Sequence, residues 1–141
     1  MKQNVNAKRS SASLADAKCS STRSSVDEDH DETRPLDGLA RTYFEPSVAF
    51  SRDDWWQVEL RIPVAGCVRV ETGDESGERL LKAGYVEISG NGRTWRRGGG
   101  FSKESGTAEF KSQTPFKFIR VRSIQGPRKP LVIRQLQDFS L

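Results

Sequence analysis

The chain has 141 residues, 34% of them hydrophobic, a mean hydropathy of -0.68 and a net charge of +4 with a pI near 9.3. That length suits a single domain with one core; no apolar run is long enough to cross a bilayer, and the first twenty residues lack the apolar stretch of a signal peptide. The mild positive balance favours anionic partners, but Arg96-Arg97 is the densest basic pair after the start and no basic block interleaved with aromatics occurs, so nucleic acid is not expected as a partner.

The first 34 residues are poor core material. A weak strand pattern near Val5 to Lys8 is followed by Ser-rich stretches (Ser10, Ser11, Ser13, then Ser20, Ser21, Ser24, Ser25) and the acidic run Asp27 to Glu32. Such composition buries little apolar area and reads as a polar loop or mobile arm. Carboxylate density alone does not make a cation site, because hard cations need converging oxygens. The expected organisation is an N-terminal strand and arm over 1–34 and one β-sandwich over 35–141.

From Trp55 onward, short runs alternate with period two and are rich in β-branched and aromatic residues. They are Trp56 to Leu60, Cys67 to Glu71, Tyr85 to Ser89, Thr107 to Phe110, Phe116 to Arg122 and Leu131 to Arg134. Turn-forming residues separate them: Ile62-Pro63-Val64-Ala65-Gly66, Gly90-Asn91-Gly92, Gly98-Gly99-Gly100 and Gly126-Pro127. Asn91-Gly92 is a strong hairpin signal, and the glycine triplet reads as a flexible hairpin loop. No stretch holds helical periodicity for three turns. An all-β, two-sheet architecture follows.

Alternation places Trp56, Val58 and Leu60 on the core face and Trp55, Gln57 and Glu59 on the other. Phe44, Trp95 and Phe118 are assigned to packing. Cys19 and Cys67 are the only cysteines and His30 the only histidine, so no zinc or thiol-catalytic spacing exists. Cys67 sits among Val68 and Val70, which favours a buried thiol over a disulfide to Cys19. Asp53 and Asp54 point to opposite sides of an extended chain and cannot work as an acid and base pair. With no nucleophile motif and no phosphate-binding glycine loop, the chain is not expected to be an enzyme.

Several strings in order carry a family resemblance: Leu36-Asp37-Gly38 with Thr42-Tyr43-Phe44, then Asp54-Trp55-Trp56-Gln57-Val58-Glu59-Leu60, then Val86-Glu87-Ile88-Ser89 with Asn91-Gly92 and Trp95, then Phe118-Ile119-Arg120-Val121 and Val132-Ile133-Arg134. Over residues 35 to 138 this resembles the discoidin-like domains of coagulation-factor type C, with the galactose-binding-like fold. The resemblance implies an eight-stranded antiparallel jelly-roll β-sandwich. It also implies a non-catalytic carbohydrate-binding module, of the kind appended to glycoside hydrolases, that takes a glycan as ligand. The alternative is an interaction domain of the same fold that binds protein or anionic lipid. A linked catalytic domain and an extracellular or cell-envelope location would follow from the first role. Relatives often hold a structural calcium, and the matching positions here are Asp37, Leu39 through its carbonyl, Thr42 and Gln135, where Gln135 replaces a carboxylate. Asp37 and Thr42 otherwise read as residues that order a turn.

Because consecutive antiparallel strands reverse, the long connections collect at one end: the segment through Asp54, Gly73 to Lys82, Gly98 to Ser105 and Ser123 to Lys129. The polar contacts available there are Arg52, Asp54, Asp74, Glu75, Arg79, Lys103 and Arg128, and Trp55, at the start of its strand, either packs under the long preceding loop or serves as a stacking ring. Sugar recognition needs planar or charged donors and acceptors beside an apolar ring face. A shallow site of Trp55, Arg52, Asp74 and Arg79 is the expectation.

Overall fold

A computed structural model describes residues 17–37, 42–52, 54–74, 76–124 and 131–140, with 137–140 as backbone alone. It contains β1 (Lys18–Ser21), β2 (Trp55–Thr72), β3 (Gly84–Ser89), β4 (Arg96–Gly100), β5 (Thr107–Ser123) and β6 (Ile133–Ser140). Every strand pairing is antiparallel, in the order β1-β2-β5-β3-β4, and β6 joins the second half of β2.

The ribbon of β2 and β5 organises the molecule. It runs from Trp55↔Arg122 to Glu59↔Phe118 and resumes from Gly66↔Ser112 to Glu71↔Thr107, with register shifts on both sides of Val64. Pro63 and Pro115 fall at this interruption, where a residue without a backbone N–H is tolerated. The ribbon bends there. Its first half builds one layer with β1, β3 and β4, and its second half builds the other with β6. The sequence separates these runs by a turn, whereas the structure carries two strands through the bend. Counted once per layer, the bent strands complete the eight-stranded antiparallel sandwich.

The core follows the alternation. Trp56, Val58 and Leu60 are fully buried and meet Val68, Val70, Val86, Ile119, Val121, Ile133 and Leu136 between the layers. Trp56 also donates its indole N–H to the Glu32 carbonyl at 3.0 Å, which ties the acidic segment to the sandwich. Strand β1 forms within the Ser-rich segment, with Cys19 opposite Val58, while Val5 to Lys8 lies outside the described residues. Both cysteines are free. Burial, and then the nearby Glu32 and Asp31, pushes the Cys19 thiol up to about 12.

Two packing expectations need correction. Trp95 and Phe118 are not in the core; both are half-buried on the outer face of the first layer, 6.2 Å apart and edge-on. Phe118 follows the alternation that sends Ile119 and Val121 inward. Trp95 is carried over the outer face by the β3–β4 turn, where Ser89 Oγ accepts the Gly92 N–H and Asn91 Oδ1 accepts those of Arg93 and Thr94. The glycine triplet is likewise no flexible loop but the end of β4. A Cβ on Gly99 would lie 2.5 Å from the Glu109 carbonyl oxygen and one on Gly98 2.9 Å from the Phe110 ring, so only glycine lets β4 close over β5.

Candidate functional site

The long connections do gather at one end. Gly73 donates to the Val132 carbonyl, Thr72 to Gly106, Ile124 to Ala83 and Phe101 to Gly84, all at 2.9–3.1 Å. The segment from 42 to 50 is fixed there by a bridge between Phe44 and Ile133, with reciprocal bonds of 2.8 and 3.0 Å. Phe44 is buried in the core, so its neighbours Tyr43 and Glu45 lie on the other side of the extended chain. Val132 also donates to the Arg79 carbonyl at 3.2 Å, which brings the loop after β2 to the same place.

Arg79 is the only non-glycine residue with positive φ among those described, at 64°. That conformation costs on the order of 1–3 kcal/mol and persists where surrounding contacts over-determine it. Here the guanidinium meets Glu45 Oε2 at 2.8 Å, with both side chains about one-fifth exposed. The hydrogen bond to Glu45 raises the Arg79 pKa against the opposing effect of burial, and the carboxylate charges of Glu45 and Asp74 add to the rise. Tyr43 packs against His30 with ring centroids 4.7 Å apart. His30 in turn has Nδ1 2.7 Å from Asp27 Oδ1, and its carbonyl accepts the Glu45 N–H at 3.0 Å. The result is a ring pair beside a fork of fixed donors and two classes of acceptor. Such a cluster offers directed donors and acceptors beside a ring face. Among the described residues, no group of three or more His, Cys, Asp and Glu is placed to hold a metal ion.

The sequence-derived residues are distributed differently from the expected shallow site. Arg79 and Asp74 belong to this cluster; Asp74 Oδ1 is also held by the Ser76 N–H at 3.0 Å and hydroxyl at 2.5 Å and by the Glu78 N–H at 3.1 Å. The Ser76 hydroxyl leads the contacts that lower its pKa. Asp54 is a structural residue instead of a ligand contact: it is buried and its oxygens accept from Thr22, Arg23 and Ser51. Trp55 does lie on the outer face, but Arg120 already occupies its ring. The Arg120 guanidinium sits 4.4 Å from the Trp55 centroid and 3.9 Å from that of Trp95, and donates to Gln57 Oε1 at 2.7 and 3.0 Å. Arg52 and Lys103 are exposed in turns. Glu75 and Arg128 lie outside the described residues. His30, Tyr43 and Glu45 were not identified from the sequence; the alternation about Phe44 is the signal that points to the last two.

Of the calcium positions, Asp37 Oδ2 accepts the Thr42 hydroxyl at 2.5 Å, so these two oxygens converge. The 3-10 turn Arg34–Leu36 packs against β6, and the Phe44–Ile133 bridge directs Thr42 toward Gln135. Leu39 lies outside the described residues.

No protein-family model and no curated protein matches the sequence. Solved structures do match the fold. CBM32-1 from a family 31 glycoside hydrolase of Clostridium perfringens superposes with a TM-score of 0.73 at 8% identity, covering 91% of this chain and 96% of that one. The chain has the discoidin-like, galactose-binding-like fold. A chitosan-binding module from a chitosanase/glucanase of Paenibacillus sp. IK-5 is similar to this chain with a TM-score of 0.72 and 14% identity over 91% and 98% of the two chains. The lectin domain of lectinolysin, complexed with Lewis B antigen, gives 0.71 and 18% over 89% and 94%.

Proposed function

We propose that this discoidin-like domain is a non-catalytic glycan-binding module whose site is the loop cluster of His30, Tyr43, Glu45, Asp74 and Arg79, working alone or beside a catalytic domain. The observation that carries the reading is Arg79, held in a left-handed backbone and locked to Glu45 next to the His30–Tyr43 ring pair. A fixed fork donates to adjacent hydroxyls without losing much side-chain entropy on binding. The ring pair supplies the flat apolar contact that a pyranose needs. Three structures of this fold whose printed descriptions name carbohydrate binding support the ligand class.

Asp37, Thr42 and Gln135 would hold a structural calcium at the base of this loop end. One carboxylate, a hydroxyl and an amide suit a weak site for a hard cation. The ion's role there would be to brace the loop.

A glycan array followed by titration calorimetry tests the main reading. Arg79→Lys keeps the charge but loses the fork, and should weaken the best glycan at least ten-fold, as should Tyr43→Ala. If the wild type binds no glycan at millimolar concentration, the function is refuted. If it binds and both variants bind equally well with unchanged thermal midpoints, the location is refuted.

A further inference from the structure

Charge is divided between the two ends of the sandwich. No Asp or Glu occurs between Glu59 and Glu71, between Glu87 and Glu104, or between Glu109 and Asp138. Residues 60–66, 89–96 and 111–117 within these stretches form the end away from the loops: the bend of β2, the β3–β4 turn and the bend of β5. That end bears Lys18, Arg61, Arg93, Arg96, Lys111 and Lys117; among the described side chains the carboxylates nearest them are Glu59, opposite Lys18, and Glu109, which shares the neighbourhood of Cys67 with Lys111. All but Lys117 are exposed. Lys117 is one-third exposed and lies 3.5 Å from Glu59 Oε2, which leaves the rest of the cationic charge facing solvent.

Two open clefts recess part of this charge. One of about 170 Å³ is lined by Lys18, Glu59, Leu60, Arg61 and Lys117, room enough for a sulfate or carboxylate group. The other, of about 260 Å³, lies between Ile88, Asn91, Arg96 and Pro115, where Arg96 Nη2 is held by Ser112 Oγ at 3.0 Å.

We infer that this end is a second binding face, distinct from the loop site, for a linear acidic polysaccharide carrying sulfate or carboxylate groups. The cations wrap around the end instead of lying in a plane. Lys18 is on the outer face of one layer, Lys111 on the outer face of the other, and Arg61 and Arg93 lie at the tip between them. A flexible polyanion reaches all of them, whereas a flat bilayer meets only the tip. Among the described residues, Ile62 is the one large exposed apolar side chain at that tip. Nor does this end present an exposed aromatic for base stacking, since Trp95 is half-buried with Arg120 over its ring.

The test is calorimetric titration of the whole chain with a heparin-derived hexasaccharide at low and physiological salt. Binding should weaken steeply with salt, as it does when a polyanion releases counterions. The triple variant Lys18→Gln/Arg61→Gln/Lys117→Gln should lose on the order of a hundred-fold in affinity, about five-fold for each cation. Lys82→Gln, which removes an exposed charge at the loop end, should stay within about two-fold of wild type. The three single variants, read separately, keep the comparison if the triple melts early. The loop site is read with the best array glycan and Arg79→Lys, and this face with the hexasaccharide and the cleft variants, so the failure of one is distinguishable from the failure of the other. The inference is overturned if the wild type does not bind at low salt, or if the cleft variants match Lys82→Gln. It is equally overturned if phosphatidylserine vesicles or a thymidine oligonucleotide of equal charge bind as tightly.

Discussion

Asp54→Asn isolates the joint that holds the loop segment to the start of β2. Asp54 Oδ2 accepts the Ser51 N–H at 2.7 Å, the Ser51 hydroxyl at 3.0 Å and Arg23 Nε at 2.8 Å, and Oδ1 accepts the Thr22 hydroxyl at 2.9 Å. Burial alone would raise the carboxyl; these four donors outweigh it and hold the pKa at about 2, down from 3.8. A depressed folded pKa gives stability that is present in full above the unfolded value and is lost as pH falls through the folded one. A shift of that size corresponds to about 2.5 kcal/mol at neutral pH. Asparagine keeps one acceptor oxygen but turns an amide N–H₂ toward donors, so a loss of about 2 kcal/mol is expected at neutral pH. The gap between wild type and variant should shrink as the solution is acidified from about pH 4 to about pH 2. Urea unfolding followed by tryptophan fluorescence across that range measures it. A gap that is absent at neutral pH, or that is independent of pH, refutes the reasoning.

Trp56→Ala should cost about 3–5 kcal/mol, as deletion of a core aromatic does. Trp55→Ala should cost about 1–2 kcal/mol, the loss of one largely buried cation–π contact with Arg120; thermal melts in the reverse order would mean the β2 register is wrong by one residue. Gly99→Ala should destabilise by about 1–3 kcal/mol because its Cβ has no room beside the Glu109 backbone. An unchanged midpoint would mean that β4 is not held against β5. Calcium at about ten times its Kd should stabilise the wild type by about 1.4 kcal/mol and leave Asp37→Ala unaffected, and equal responses of the two proteins would rule out the calcium reading.

Much of the sandwich is legible locally. The alternation from Trp55 to Leu60 states which ring goes inward, because a period of two is a property of the strand itself. The gathering of long connections at one end follows from antiparallel reversal. Strand β1 is not legible in this way: Lys18-Cys19-Ser20-Ser21 has no strand composition, and it pairs because Cys19 covers the edge of a core made by distant residues. Trp95 misleads for a related reason, since its face is decided by the cap of the preceding turn and by Arg120, which lies on another strand. The cluster around Arg79 depends on contacts between segments far apart in the chain. Only the Phe44–Ile133 bridge and the Val132–Arg79 bond bring Glu45 within reach of the guanidinium, and no local pattern encodes either.

The bent ribbon of β2 and β5 also constrains how the chain reaches its native state. Neither layer owns a complete set of strands, so neither can assemble or melt while the other stays intact, and unfolding should be all-or-none. The pairing that defines the ribbon, Trp55 with Arg122, closes one of the longest loops in the molecule before any core exists to reward it. Chains with such non-local pairing fold in milliseconds to seconds. During that interval the glycine-rich strand β4 has nothing to close upon, and its unpaired edge is the part most open to pairing with a neighbouring chain.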